Sequence, residues 1–206
     1  MEYTTLKQEA KAEFIEKRSR FIGHCKPVSS EEQALAFISA IKSKHWDATH
    51  NVYAYSLREG QTFRFSDDGE PQGTAGIPVL DVLRKGGITD AVIVVTRYFG
   101  GIMLGAGGLV RAYSHGAAIA VDQGQPLNMV LCALCSLTCD YNQYGRLQAL
   151  IPQCGGVIEN AKFEADVELD FHMQEADFPR FKKELAEATN GSVEFKAVGE
   201  RFFANG

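Results

Sequence analysis

No apolar run in the 206-residue chain approaches the roughly 18 to 20 residues that a membrane-spanning helix needs, so no membrane partner is expected. The opening residues Met1-Glu2-Tyr3-Thr4 lack a basic segment followed by an apolar stretch, and no signal peptide is expected. Basic excess is missing as well. The formal net charge is −5, which argues against a domain wrapped in nucleic acid by bulk electrostatics, though not against a local basic patch on an acidic body. The five cysteines, Cys25, Cys132, Cys135, Cys139 and Cys154, have no second Cys or His pair at metal-ligand spacing. Cys132-x-x-Cys135 falls in a predicted strand, so buried reduced thiols of a cytoplasmic protein are expected. The histidines at 24, 45, 50, 115 and 172 form no recognisable triad with a nucleophile and an acid. Neither a Walker A nor a dinucleotide-binding pattern is present, nor any long-period repeat or low-complexity tract.

What is there reads as an ordinary globular chain, with 45% hydrophobic and 23% charged residues and length enough for one large domain or two small ones. Segments 1–27 and 49–65 read as strands, with a helix between them. Ser30 with Gln33, or Ser29 with Glu32, offers that helix a capping box, and Ala34, Phe37, Ile38 and Ile41 share one face. Ser66 to Pro78 reads as a loop, and Leu80 to Lys85 as a short helix. Ala91 to Val95 is an unbroken apolar run, as expected of a strand covered on both faces. A helix from about Gly108 to Asp122 follows the glycine-rich stretch, with Leu109, Ala112, Tyr113, Ala117 and Ala120 along one stripe. Gly124 to Asn128 is the candidate linker. Beyond it the order strand, helix, two strands, helix, strand is that of a ferredoxin-like βαββαβ domain.

Two stretches carry chemistry. Between Arg97 and Tyr113, five glycines fall in nine positions (Gly100, Gly101, Gly105, Gly107 and Gly108), between a buried strand and a helix start. Backbone amides converging at a helix N-terminus favour an anion, and Arg97 and Arg111 flank them as candidate grips for a phosphate or carboxylate. The alternative is that the glycines allow close packing and the arginines form surface ion pairs. The second stretch runs from Phe65 to Pro78 and contains Ser66, Asp67, Asp68, Glu70 and Thr74. Its carboxylates could hold a divalent cation, yet the remaining ligands of a calcium loop are absent, and Asp-Asp-Gly equally makes a turn. No metal and no cofactor are expected. His50 and His115 are the histidines placed beside these stretches.

Phe65-Ser66-Asp67-Asp68-Gly69-Glu70-Pro71 with Gly73-Thr74-Ala75-Gly76, then Arg97-Tyr98-Phe99-Gly100-Gly101, Leu104-Gly105 and Gly107 through Tyr113, resemble the signature of the YigZ/IMPACT family, in its bacterial branch. The resemblance implies an α+β chain of two domains. Residues 1–126 would form an Impact N-terminal-like domain with the fold of ribosomal protein S5 domain 2, and residues 129–206 a ferredoxin-like domain. It further implies an association with translation, because eukaryotic IMPACT proteins act on translational control. The reading that follows is of a non-catalytic binding protein that contacts ribosome, RNA or a translation protein through the glycine-rich surface. The competing reading is an enzyme acting on a phosphorylated small molecule or nucleotide, with Asp67, Asp68 or Glu70 on Mg²⁺ and Gly105 to Gly108 cradling phosphate.

Overall fold

The computed structural model describes residues 1–205, and the chain divides into two compact units, Tyr3–Asn128 and Met129 onward, the latter joined by Met1 and Glu2.

In the first unit, β1 (Glu2–Leu6), β2 (Ala10–Glu16) and β3 (Ser19–Pro27) divide the expected opening strand segment. Lys17 and Arg18, both at positive φ, turn the chain between β2 and β3. Helix α1 (Glu31–Lys44) begins where Ser30, in extended conformation, accepts a hydrogen bond from the Gln33 amide. The Gln33 side chain reaches back to the Ser29 amide at 2.9 Å. Strands β4 (His50–Leu57) and β5 (Thr62–Ser66) form a hairpin. Helix α2 (Gly76–Lys85), strand β6 (Ala91–Tyr98) and helix α3 (Ala106–Gly124) follow.

Strands β2 to β6 form one sheet in the order β2-β3-β6-β4-β5, every pair antiparallel. The unbroken apolar run of β6 has a direct cause. Alternate side chains of a strand point to opposite faces, and both faces are covered. Ala91, Ile93 and Val95 join a core with Leu80, Leu83, Tyr113 and Ala117 of α2 and α3. Val92 and Val94 join a second core with Ala34, Phe37 and Ile41 of α1. The expected linker at 124–128 is not a loop. Helix α3 runs through Gly124, β7 (Pro126–Cys139) starts two residues later, and Gln125 at φ 55° makes the turn. The Lys7 amide pins that turn through the Gly124 and Gln125 carbonyls.

The second unit adds α4 (Tyr141–Gln153), β8 (Val157–Phe163), β9 (Val167–Met173), α5 (Phe178–Thr189) and β10 (Phe195–Ala204). Its strands pair antiparallel in the order β8-β9-β7-β10, and the arrangement is ferredoxin-like. Asp140 and Gln143 form a reciprocal capping box on α4, and Asn190, in the left-handed conformation, ends α5. Cys135 packs with Leu147, Ile151, Phe171 and Phe181 in the core. Cys132 lies three positions earlier in the strand and faces the opposite way, so the two thiols form no pair. Burial raises the pKa of every cysteine thiol, those of Cys25 and Cys135 to about 11. Among the described residues, no helix is long and apolar enough to cross a membrane.

Candidate functional site

The strand registers bring both signature stretches to one end of the first sheet. Arg97 of β6 lies opposite His50 of β4, Tyr98 opposite Arg20 of β3, and Ser66 opposite Tyr53. The loop after β5 and the loop after β6 therefore leave the sheet at the same end, where α3 also begins.

Arg97 faces inward. It is only 5% exposed, and its guanidinium donates to Glu70 Oε1 at 2.6 Å. Phe21 and Phe99 flank it, their ring centres 5.6 and 5.3 Å from the guanidinium carbon. Glu70, 8% exposed, also accepts from the Tyr113 hydroxyl at 2.7 Å, and His50 Nε2 lies 3.7 Å from its other oxygen. Burial, then Glu70, pushes the Tyr113 phenol far above its ordinary range, so it stays a donor. The anion held by Arg97 is thus a carboxylate of the protein itself. One guanidinium nitrogen, Nε, is buried without a partner.

The other residues of the carboxylate loop are also engaged within the chain. Asp67 accepts from the amides of Gly73, Ala75 and Gly76 at 2.8 to 3.1 Å. That carboxylate caps the start of α2, which is why the helix begins at Gly76 and not at Leu80. Asp68 pairs with Lys42 at 2.7 Å, accepts from the Asn51 amide at 2.6 Å, and receives His50 Nδ1–H on its carbonyl at 2.8 Å. Ser66 Oγ accepts from the Asp68 amide, and the Thr74 hydroxyl donates to the Pro71 carbonyl. Among the described residues no group of three or more His, Cys, Asp or Glu is arranged to hold a metal.

The glycine-rich stretch divides at its first residues. Gly100 is packed hard against the β2–β3 turn: a Cβ there would stand 2.1 Å from the Arg18 carbonyl carbon, and its amide donates to Ser19 Oγ at 3.2 Å. From Gly101 on, the chain opens to solvent. Gly101 and Gly105 hold φ of 82° and 73°, conformations that favour glycine, and neither is crowded. Helix α3 starts after Gly105 with no side-chain cap, so the amides of its first turn, from Ala106 through Gly107 to Gly108, carry the partial positive charge of the helix end. Arg111 folds back over this turn, with Nη1 3.7 Å from where a Gly107 Cβ would sit. Beside it lies a groove of about 310 Å³ between the β2–β3 turn and α3, where Lys17, Arg111 and His115 converge with Phe14, Leu104 and one opposing charge, Glu16.

A second polar pair combines the buried His24 with the half-buried His45. His24 and His45 stand with ring centres 5.2 Å apart, and Nε2 of each is buried without a partner. His45 Nδ1 bonds Tyr98 Oη at 2.9 Å, and that hydroxyl donates to Asp47. Burial, aided by His45, lowers the His24 pKa to about 4.

Two α+β domains, with the glycine-rich stretch locked to a carboxylate loop in the first, define the class of protein. Residues 17–121 match the Impact N-terminal domain, and residues 137–192 match a domain of unknown function, DUF1949. The chain is 37% identical over 195 residues to IMPACT family member YvyE of Bacillus subtilis strain 168, covering 94% of this chain and 90% of that protein. It is also 37% identical over 187 residues to IMPACT family member YigZ of Escherichia coli strain K12, covering 89% of this chain and 92% of that protein. A crystal structure described as that of a hypothetical protein superposes with a TM-score of 0.60 and 34% identity, covering 96% of this chain and 97% of the other. The chain belongs to the IMPACT family.

Proposed function

We propose that this IMPACT family member is a non-catalytic binding protein associated with regulation of translation, and that it meets its partner through the groove at the start of α3. The observation that carries this reading is the convergence of Lys17, Arg111 and Gly108, a residue of the uncapped first turn of α3, on one solvent-facing groove. Cations and oriented amides in one concavity suit a phosphate or a carboxylate on a ribosome, an RNA or a translation protein. The internal engagement of Asp67, Asp68 and Glu70 supports binding over phosphoryl chemistry, because these carboxylates have Lys42, Arg97 and backbone amides as partners in place of Mg²⁺.

Co-sedimentation with ribosomes across a salt series tests the reading. Wild type should pellet at low salt and be released as salt rises, and the double variant Lys17→Ala/Arg111→Ala should be released at lower salt. If wild type stays in the supernatant even at low salt, the reading fails. Equal pelleting of both proteins at every salt would remove the groove as the contact.

A further inference from the structure

The groove is one side of a broader surface. Trp46, the chain's one tryptophan, is 82% exposed. It stands just past α1 on a turn that is firmly held. The His45 amide bonds the Ile41 carbonyl, Ala48 bonds His45, Thr49 bonds the Arg97 carbonyl, and the Asn51 side chain bonds the His45 carbonyl. Thr49 Oγ1 in turn accepts from the amide of Phe99, so the Trp46 turn and the loop after β6 are neighbours. Phe99 is itself 47% exposed, with the Arg97 guanidinium beside its ring. On the other side of Phe99, Gly100 is packed against the backbone of Arg18.

Two large exposed rings therefore stand on rigid supports among the exposed cations Lys17, Arg18, Lys44 and Arg111. The exposed carboxylates nearby are Glu13, Glu16 and Asp47, of which Glu13 is bridged to Arg20 and Asp47 accepts from the Tyr98 hydroxyl. On a chain of net charge −5, this end of the sheet is a local basic surface. A ring held outward with fixed backbone loses little entropy when something stacks on it. The core of a protein-docking patch is depleted of lysine, whereas rings spaced by cations match a chain of bases and phosphates.

Resting on the translational reading above, we infer that the partner of this surface is a single-stranded nucleic acid, with bases stacked on Trp46 and Phe99 and phosphates on Lys17, Arg18 and Arg111. A duplex is excluded from the ring contacts, because its base faces are already covered by their neighbours.

Trp46 reports its own occupancy. The full-length protein is titrated with an oligouridylate of about 12 nucleotides, the matching DNA strand, a duplex, and inorganic polyphosphate, following tryptophan fluorescence and the anisotropy of labelled strands. The single strand should quench Trp46 with an affinity that falls as salt rises, and polyphosphate should bind without quenching. Quenching by DNA equal to that by RNA supports the stacking and shows that the 2′-hydroxyl is not read. Trp46→Ala should weaken single-strand binding about tenfold while Trp46→Phe keeps most of it, the thermal midpoint staying unchanged in both. Single-strand binding without quenching, and with Trp46→Ala at wild-type affinity, would overturn the inference. So would the absence of strand binding at low salt. If the protein still pellets with ribosomes in that case, the translational reading survives and the partner is a protein surface.

Discussion

The loop after β5 and the loop after β6 leave the sheet at the same end of its strands, yet they serve opposite purposes. In the first, every carboxylate is satisfied by the protein: Asp67 by three amides, Asp68 by Lys42 and Asn51, and Glu70 by Arg97 and Tyr113. In the second, the chain beyond Gly100 leaves the first turn of α3 uncapped and Arg111 in solvent. Both loops have residues suited to catalysis or binding. Their partners separate them, one being a brace and the other a surface.

Breaking the brace should have the largest effect. Glu70→Gln leaves the Arg97 guanidinium buried without a counter-charge, and urea unfolding should show a loss of about 3 kcal/mol or more. A loss under about 1 kcal/mol would mean that the cluster is not a brace. Next is the His24–His45 pair, in which Nε2 of each ring is buried without a partner. The His24 pKa near 4 lies below its ordinary 6.5. The unfolded chain therefore binds the proton more readily, and stability that is full above about pH 6.5 is lost as pH falls toward 4. The contribution is about 3 kcal/mol at most. His24→Phe should flatten that slope, and an unchanged slope would assign the acid sensitivity elsewhere.

Gly100→Ala should cost about 2 kcal/mol, because the new methyl meets the Arg18 backbone and not a flexible side chain. The smallest stability effect belongs to the surface. Lys17→Ala/Arg111→Ala should unfold within about 0.5 kcal/mol of wild type, even where it releases a bound partner at lower salt. A large stability loss in that variant would erase the distinction between brace and surface.

Local chemistry was legible in the sequence wherever it acted over a few residues. The Ser30–Gln33 cap, the inward stripe of α3 and the doubly covered β6 all follow from spacing alone. Contacts across distance were not. Arg97 reads as an exposed anion grip until Glu70, twenty-seven positions away, is found against it. Helix α2 starts four residues before Leu80 because its cap, Asp67, lies nine residues before Gly76 on the far side of a loop. Lys17 carries no signal in the sequence, because its place in the groove depends on the β2–β3 turn lying beside α3. A periodicity of 2 or 3.6 carries no information on such pairings.

The two uncrowded glycines at positive φ have a consequence for motion. Gly101 and Gly105 bracket Ile102, Met103 and Leu104, and Met103 is 85% exposed. The base of the segment is anchored in β6, the central and most deeply covered strand, whose amides should be among the slowest in the unit to exchange with solvent. Leu104 packs against the core of the unit, so rotation at Gly101 would let Ile102 and Met103 move without disturbing that anchor. Hydrogen exchange should therefore change abruptly within a few residues, from protected through Tyr98 to fast at Ile102, and a partner that closes on the segment should slow only the latter.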